Sequence, residues 1–305
     1  MTTSPRTSPT ATTGGGAEPI LSVQDLVVEF RTRESTVNAV NGVSYTVSAG
    51  ETLAILGESG SGKSVSAQAI MGILDSPPAV VPSGEIWFEG SNLLTLPAEE
   101  QRKVRGPGIS MIFQDALSSL NPVYSVGYQI GEMFREHRGM SKKEAKKHAV
   151  ELMERVRIPA AAQRVDDYPH QFSGGMRQRV MIAMAIALDP RILIADEPTT
   201  ALDVTVQAQV MDLLKDLQRE TGMGLVLITH DLGVVNEVAD NVAVMYAGRI
   251  VERGTVDDVF TDAAHPYTDG LMASIPQVEA KGGRVTFVDL TLMCEAPKIG
   301  PHRTA

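Results

Sequence analysis

Residues 57–64 read GESGSGKS, and few folds can accommodate that stretch. It fits the pattern G-x-x-x-x-G-K-[ST], with Gly57, Gly62, Lys63 and Ser64 at the required positions. Phosphate oxygens need a concave row of backbone N–H groups, and a glycine-rich loop can curl tightly enough to supply one. Such a loop works between a buried strand and a helix whose positive N-terminus faces the anion. Both neighbours are present. Residues 52–56 (TLAIL) form a short apolar run that suits a buried strand, and residues 65–74, with no Pro and a single Gly72, suit a helix. Lys63 would then reach the β- and γ-phosphates, and the Ser64 hydroxyl would hold Mg²⁺.

A chain of 305 residues is long enough for about two domains and a real core. Its net charge of −10 argues against a general nucleic-acid or anionic-membrane binder, because both favour basic surfaces. The single cysteine, Cys294, excludes an intramolecular disulfide and a Cys₄ metal site, and points to a reducing compartment. No run approaches the roughly 18 consecutive apolar residues of a membrane span. Residues 1–18, rich in Thr, Ser, Pro and Gly, read as a disordered lead-in and not as a secretion signal. The expectation is a cytosolic chain whose partner need not be soluble.

Residues 20–30 and 37–47 are β-branched and strand-like, with Asn41-Gly42 read as a turn inside the second. They predict an antiparallel β patch leading into the phosphate loop. Phe30, at the end of the first run, has two readings: a ring stacked on a nucleotide base, or a core aromatic. Pro77, Pro78, Pro82 and Gly84 mark a loop before a strand over 85–88, and residues 91–105 are helix-compatible. Residues 109–113 are apolar and run into Gln114. From there to about 169 the periodicity turns helical: Ser141 and Glu144 form a capping box, and Ala145, Ala149, Leu152 and Val156 mark one buried face. The lysines at 142, 143, 146 and 147 are assigned to a solvated face of that helix. Residues 115–178 are therefore read as a helical insertion in an α/β frame, which resumes with strands over 191–195 and 225–229, a helix over 203–220, and a late hairpin over 242–252.

In parallel α/β sheets, ligands bind beyond the carboxyl ends of the strands. Three apolar runs end at the phosphate loop, at Asp196-Glu197 and at His230, so all three converge on one nucleotide. Asp196 suits a hold on Mg²⁺, and Glu197 suits a general base for the attacking water. A lone His is by default a satisfied core residue, but the place of His230 after the third strand favours a γ-phosphate contact. Ser173, Gly174 and Gly175 open a further helix and make a second anion site by the same physics. One chain with one phosphate loop does not need two. A head-to-tail pair does, if each chain's Ser173 segment closes over the other's nucleotide.

Together these residues resemble the ATP-binding subunit of an ABC transporter over about residues 20–276. GESGSGKS matches the family's Walker A, which assigns Glu58, Ser59, Gly60 and Ser61 to ATP along with Gly57, Gly62, Lys63 and Ser64. ILIADEP matches Walker B and FSGGMRQR the signature motif. Gln114 matches the Q-loop, which implies roles in catalysis and Mg²⁺ binding; Ala201-Leu202-Asp203 matches the D-loop, His230 the switch histidine, and Phe30 by position the aromatic that stacks on adenine. Within the family, QDALSSLNPVYSVGYQI at 114–130, DDYPHQFSGGMRQRVMIAMAIA at 166–187 and HPYTDGLMASIP at 265–276 resemble the dipeptide/oligopeptide (and nickel) importer branch. The last of these lies outside the catalytic core, so it is expected to mark the branch without serving hydrolysis. That branch generally continues into a tail with clustered cysteines; here the likeness stops after about Gly283 and only Cys294 is present, so no iron–sulfur cluster is expected.

The resemblance implies a P-loop ATPase core with an antiparallel β subdomain and a helical insertion, over residues 19–262, followed by an extension over 263–305. It implies ATP hydrolysis at the cytoplasmic face of a membrane. The implied partners are a second ABC ATPase chain (a paralogue, or a copy), two transmembrane permease subunits and an extracytoplasmic solute-binding protein, with no nucleic acid. Peptides are the expected cargo, nickel or another small solute the alternative. A soluble ABC ATPase acting on DNA or ribosomes tends to carry two cassettes or a long coiled coil, neither of which is present. A small-molecule P-loop kinase would not need Ser173-Gly174-Gly175.

Overall fold

The computed structural model describes residues 19–115, 119–200 and 202–273. The 1–18 lead-in, Ala201 of the D-loop stretch, Cys294 and the tail beyond 273 lie outside the described residues. Apolar residues that alternate on either side of a bulge between Val23 and Leu26 build the first layer. Leu21–Arg31 (β1) buries Leu21, Val23, Leu26 and Val28, and pairs antiparallel with Thr36–Val47 (β2). Asn41-Gly42 is not a turn. Leu26 pairs Val43 and Val27 pairs Asn41, so Gly42, at φ +73°, is the extra residue of a bulge inside one continuous strand.

After Thr52–Leu56 (β3), the expected loop at Pro82 and Gly84 is also strand. Ala79–Phe88 (β4) runs through both residues. Pro82 fits because the β1–β4 pairing shifts register between Val27 and Glu29, opposite that stretch. Gly84 fits because a Cβ there would lie 2.6 Å from the Leu26 Cα. With Ser91–Asn92 (β5) the layer is a four-stranded sheet in the order β2-β1-β4-β5. Residues 91–105, read as helix-compatible, hold β5, a 3₁₀ turn over Leu93–Thr95 and a short helix, Ala98–Val104 (α2).

The second sheet adds Ile109–Ile112 (β6), Ile192–Asp196 (β7), Gly224–Ile228 (β8), Asn241–Tyr246 (β9) and Arg249–Thr255 (β10), in the order β10-β9-β3-β8-β7-β6. All neighbours are parallel except the β9–β10 hairpin. Ala247 and Gly248 turn that hairpin with φ of +46° and +79°, the positive pair a tight two-residue turn demands. β3, β7 and β8 are buried at every position, as strands covered on both faces must be. Period two divides them between cores. Leu53, Ile55, Ile192, Ile194, Val226 and Ile228 pack toward the antiparallel sheet, while Leu193, Ala195, Leu225 and Leu227 pack toward the helices.

Lys63–Met71 (α1) follows the phosphate loop and stops earlier than expected, because Gly72 at φ +60° caps it in the left-handed conformation. The insertion holds Val126–Arg138 (α3), Lys142–Arg155 (α4) and Ala161–Arg164 (α5). The Ser141/Glu144 capping box forms, and Ala145, Ala149, Leu152 and Val156 are buried. Lys146 and Lys147 pair with Asp166 and Glu151 at 2.7 and 3.5 Å on the exposed face. Gly174–Ile186 (α6) is unbroken across position 178, so insertion and core share it. Val204–Thr221 (α7) runs from the Asp203 cap to Gly222. Leu232–Val238 (α8), Val256–Thr261 (α9) and Pro266–Ala273 (α10) cover the outer face of β3 and β9, where Ala54, Leu56, Val242 and Val244 meet Val235, Val259, Tyr267 and Leu271. Among the described residues no helix is long and apolar enough to cross a membrane.

Candidate nucleotide site

β3, β8 and β7 are adjacent and parallel, so their carboxyl ends open on one spot. The loop after β3 needs its glycines for space. A Cβ on Gly57 would meet the Met245 carbonyl oxygen at 2.2 Å, and one on Gly62 would meet the Ala39 carbonyl oxygen at 2.2 Å. Gly57, Ser61, Gly62 and Lys63 are buried, while Glu58, Ser59 and Gly60 form the exposed lip. The Lys63 ammonium donates to the carbonyls of Gly57 and Glu58 at 2.7 and 2.8 Å. Burial pulls its pKa below the usual lysine range, against the opposing pull of Glu197, Asp196 and Glu58.

At the end of β7, Asp196 is 4 % exposed and accepts a hydrogen bond from the Ser64 hydroxyl at 3.0 Å. Burial pushes its carboxyl up, and the Ser64 contact opposes that. Glu197 takes the unusual φ of +46°, held by its own N–H on the Ile228 carbonyl at 2.8 Å. Its Oε2 accepts from Gln114 Nε2 at 2.7 Å and from the Thr200 hydroxyl at 2.9 Å. The Nδ1 of His230 stands 3.4 Å from its Oε1. Sequence reasoning had not singled out Thr200; its spacing three residues after Glu197 was the available signal.

These groups fit a nucleotide triphosphate with a hard cation. Ser64 and Asp196 supply oxygen donors side by side, as Mg²⁺ prefers, and the phosphates and water can complete its shell. Gln114 could join only through Oε1, because its Nε2 serves Glu197. Among the described residues no hydrogen bond joins the remaining candidates to this cluster. Ser173 caps α6, its hydroxyl accepting from Met176 N–H at 3.3 Å, and Gly174 and Gly175 lie against Leu202 and Val206. Among the described residues no hydrogen bond ties the Ser173 segment to residues 57–64. Asp203 caps α7 by accepting from Val206 N–H at 3.0 Å. Phe30 pairs with Val37 and Ala79 and is half-buried.

The HPY segment, read from the sequence as a branch marker outside the catalytic core, reaches the phosphate loop: the Glu58 N–H donates to the Tyr267 hydroxyl at 3.2 Å. Chain position gave no hint of this contact, because 209 residues separate the two groups.

Comparison with known proteins agrees with this geometry. The family described as ABC transporter matches residues 40–200, and the one described as oligopeptide/dipeptide transporter, C-terminal region, matches residues 251–289. The oligopeptide transport ATP-binding protein OppD of Bacillus subtilis (strain 168) is 57% identical over 263 residues, covering 86% of this chain and 74% of OppD. The dipeptide transport ATP-binding protein DppD of Lactococcus lactis subsp. cremoris (strain MG1363) is 53% identical over 272 residues, 89% of this chain and 78% of DppD. Among solved structures, the dimeric post-hydrolysis state of the ATP-binding cassette MJ0796 bound to ADP and Pi superposes with a TM-score of 0.69 at 28% identity, over 77% of this chain and 98% of that one. The cbiO1 subunit of the cbiONQ transporter from Clostridium perfringens gives 0.66 at 30% identity, over 81% and 92%. The strand-end cluster, the cassette fold and the matched C-terminal region agree: this chain belongs to the ABC transporter family, as an ATP-binding subunit with the C-terminal region of the oligopeptide/dipeptide transporters.

Proposed function

We propose that this chain is the ATP-hydrolysing subunit that powers import of peptides through a membrane ABC permease. The observation that carries the reading is the meeting of Lys63, Ser64–Asp196 and the Gln114–Glu197–His230 group at the ends of four adjacent strands, β3, β8, β7 and β6. Backbone N–H groups along residues 57–64, apart from that of Glu58, which bonds the Tyr267 hydroxyl, would cradle the phosphates, and Lys63 would leave the loop carbonyls for the β- and γ-phosphates. Ser64 and Asp196, with Gln114 through its Oε1, would hold Mg²⁺, which would offset charge on the phosphates. Glu197 would take the proton of the attacking water, oriented by Gln114, Thr200 and His230. Phe30 would stack on adenine.

Ser173, Gly174, Gly175 and Asp203 lie outside this cluster, so they would act across a head-to-tail pair, on the nucleotide of a second ABC ATPase chain. The dimeric MJ0796 structure supports such pairing. A cavity of about 460 Å³ between the insertion and the core, lined by Met71, Phe113, Met133, Met181 and Met184, would seat a permease loop. Phe113 adjoins Gln114, so site occupancy and permease position would be linked there. Methionine side chains adapt to such a contact. Two permease subunits and an extracytoplasmic solute-binding protein would complete the assembly at the cytoplasmic face of the membrane, and the relatives' names favour peptides as cargo. Vesicles carrying the chain with its permease, its second cassette and its binding protein test the reading. Peptide uptake that requires internal ATP is the expected result; ATP-dependent uptake of nickel but of no peptide would refute the cargo.

A further inference from the structure

Within the matched C-terminal region, Glu252 anchors the start of α10. Its carboxylate accepts from the N–H groups of Ala264 and His265 at 2.7 and 3.0 Å, and His265 Nδ1 in turn accepts from Tyr267 N–H at 3.1 Å. The Tyr267 ring packs against that of Tyr246 at the end of β9, 4.5 Å between centroids and tilted by 43°. So held, the Tyr267 hydroxyl accepts from the Glu58 N–H at 3.2 Å.

That N–H belongs to the Gly57–Glu58 peptide, whose carbonyl oxygen, on Gly57, accepts from Lys63 at 2.7 Å. A trans peptide points its N–H and C=O in opposite directions, so Tyr267 and Lys63 grip one plane from its two sides. The grip matters because Gly57, at φ +148°, has no Cβ to stop the plane from turning. Turning it would re-aim the first amide of the phosphate loop and withdraw the carbonyl that parks the Lys63 ammonium.

We propose that Tyr267 is a positioning residue for ATP binding: its hydroxyl presets the Gly57–Glu58 peptide, so the C-terminal extension is part of the phosphate loop's support. This rests on the reading of residues 57–64 as the ATP site. The hydroxyl acts on the free loop, so its loss weakens nucleotide binding and leaves the chemical step alone.

Tyr267→Phe in the full chain keeps the ring against Tyr246 and deletes only the hydroxyl. Binding of a non-hydrolysable ATP analogue is expected to weaken about three- to ten-fold, the effect of roughly one hydrogen bond. The KM for ATP should rise with it, kcat should hold, and the Glu58 amide should exchange faster with deuterium. The melting temperature should stay near that of the parent. Tyr267→Leu, which also loses the ring, should lower the melting temperature in addition to the affinity loss. Parental affinity and parental Glu58 exchange in Tyr267→Phe would overturn the proposal, as would a lowered melting temperature with affinity intact, which marks a packing role alone. Lys63→Ala, measured alongside, keeps the two readings apart. Unchanged ATP binding by Lys63→Ala refutes the ATP site itself, whereas its loss, beside an unaffected Tyr267→Phe, refutes only the role of Tyr267.

Discussion

Replacing Glu197 by Gln separates binding from chemistry, and the geometry indicates how cleanly. The side chain is 15% exposed, and its Oε2 accepts two hydrogen bonds, from Gln114 at 2.7 Å and Thr200 at 2.9 Å. A glutamine amide oxygen can occupy that position and keep both, while its NH₂ turns to Nδ1 of His230. The backbone strain at φ +46° is common to both residues and cancels. The folding free energy is therefore expected to change by less than about 0.5 kcal/mol, as for a substitution that leaves its contacts in place. An amide cannot take a proton from water, so the chemical step loses about 10²- to 10⁴-fold, roughly 3–5 kcal/mol of barrier. Rapid-quench release of phosphate at saturating ATP measures that loss, and equilibrium ATP binding with sedimentation of the nucleotide-bound pair serves as the control. Expected are near-parental affinity, a slowed chemical step and an accumulated pair of cassettes. Phosphate release within about ten-fold of the parent, at unchanged affinity, would remove Glu197 as the base.

Asp196→Asn keeps an acceptor for Ser64 and removes a charge that burial disfavours. Because the folded-state pKa of Asp196 lies above the usual 3.8, its ionisation favours the unfolded chain as pH rises through that window. The nucleotide-free variant should therefore melt higher than the parent by a margin that widens from pH 4 upward and then levels off; a margin that shrinks with pH would reverse the sign. Ile194→Ala, at a fully buried position two residues before Asp196, should cost about 2–5 kcal/mol in urea unfolding, and Ile194→Val only about 0.5–1.5. Ser141→Ala breaks the capping box of α4 and should cost about 1 kcal/mol in the same assay, with ATP affinity untouched.

Local rules were sufficient wherever the controlling neighbours are a few residues away. The capping box, the late hairpin over 242–252 and the apolar runs of β3, β7 and β8 could all be read directly. They failed where a glycine had a second use. Gly42 and Gly84 look like turn residues, yet both sit inside strands, because only strand pairing decides whether a positive φ makes a turn or a bulge.

The residues along the chain were enough to determine that it builds a phosphate loop and places two carboxylates and a histidine at strand ends, because each motif is a local arrangement of backbone. Tertiary structure alone decided that β8 lies between β3 and β7, so that Ser64 meets Asp196 and Gln114 meets Glu197 across 132 and 83 residues. It alone placed Tyr267 on the phosphate loop. The reason is physical: which strands become neighbours depends on how both faces of the sheet bury their apolar side chains at once, a property of the whole core that no short stretch contains.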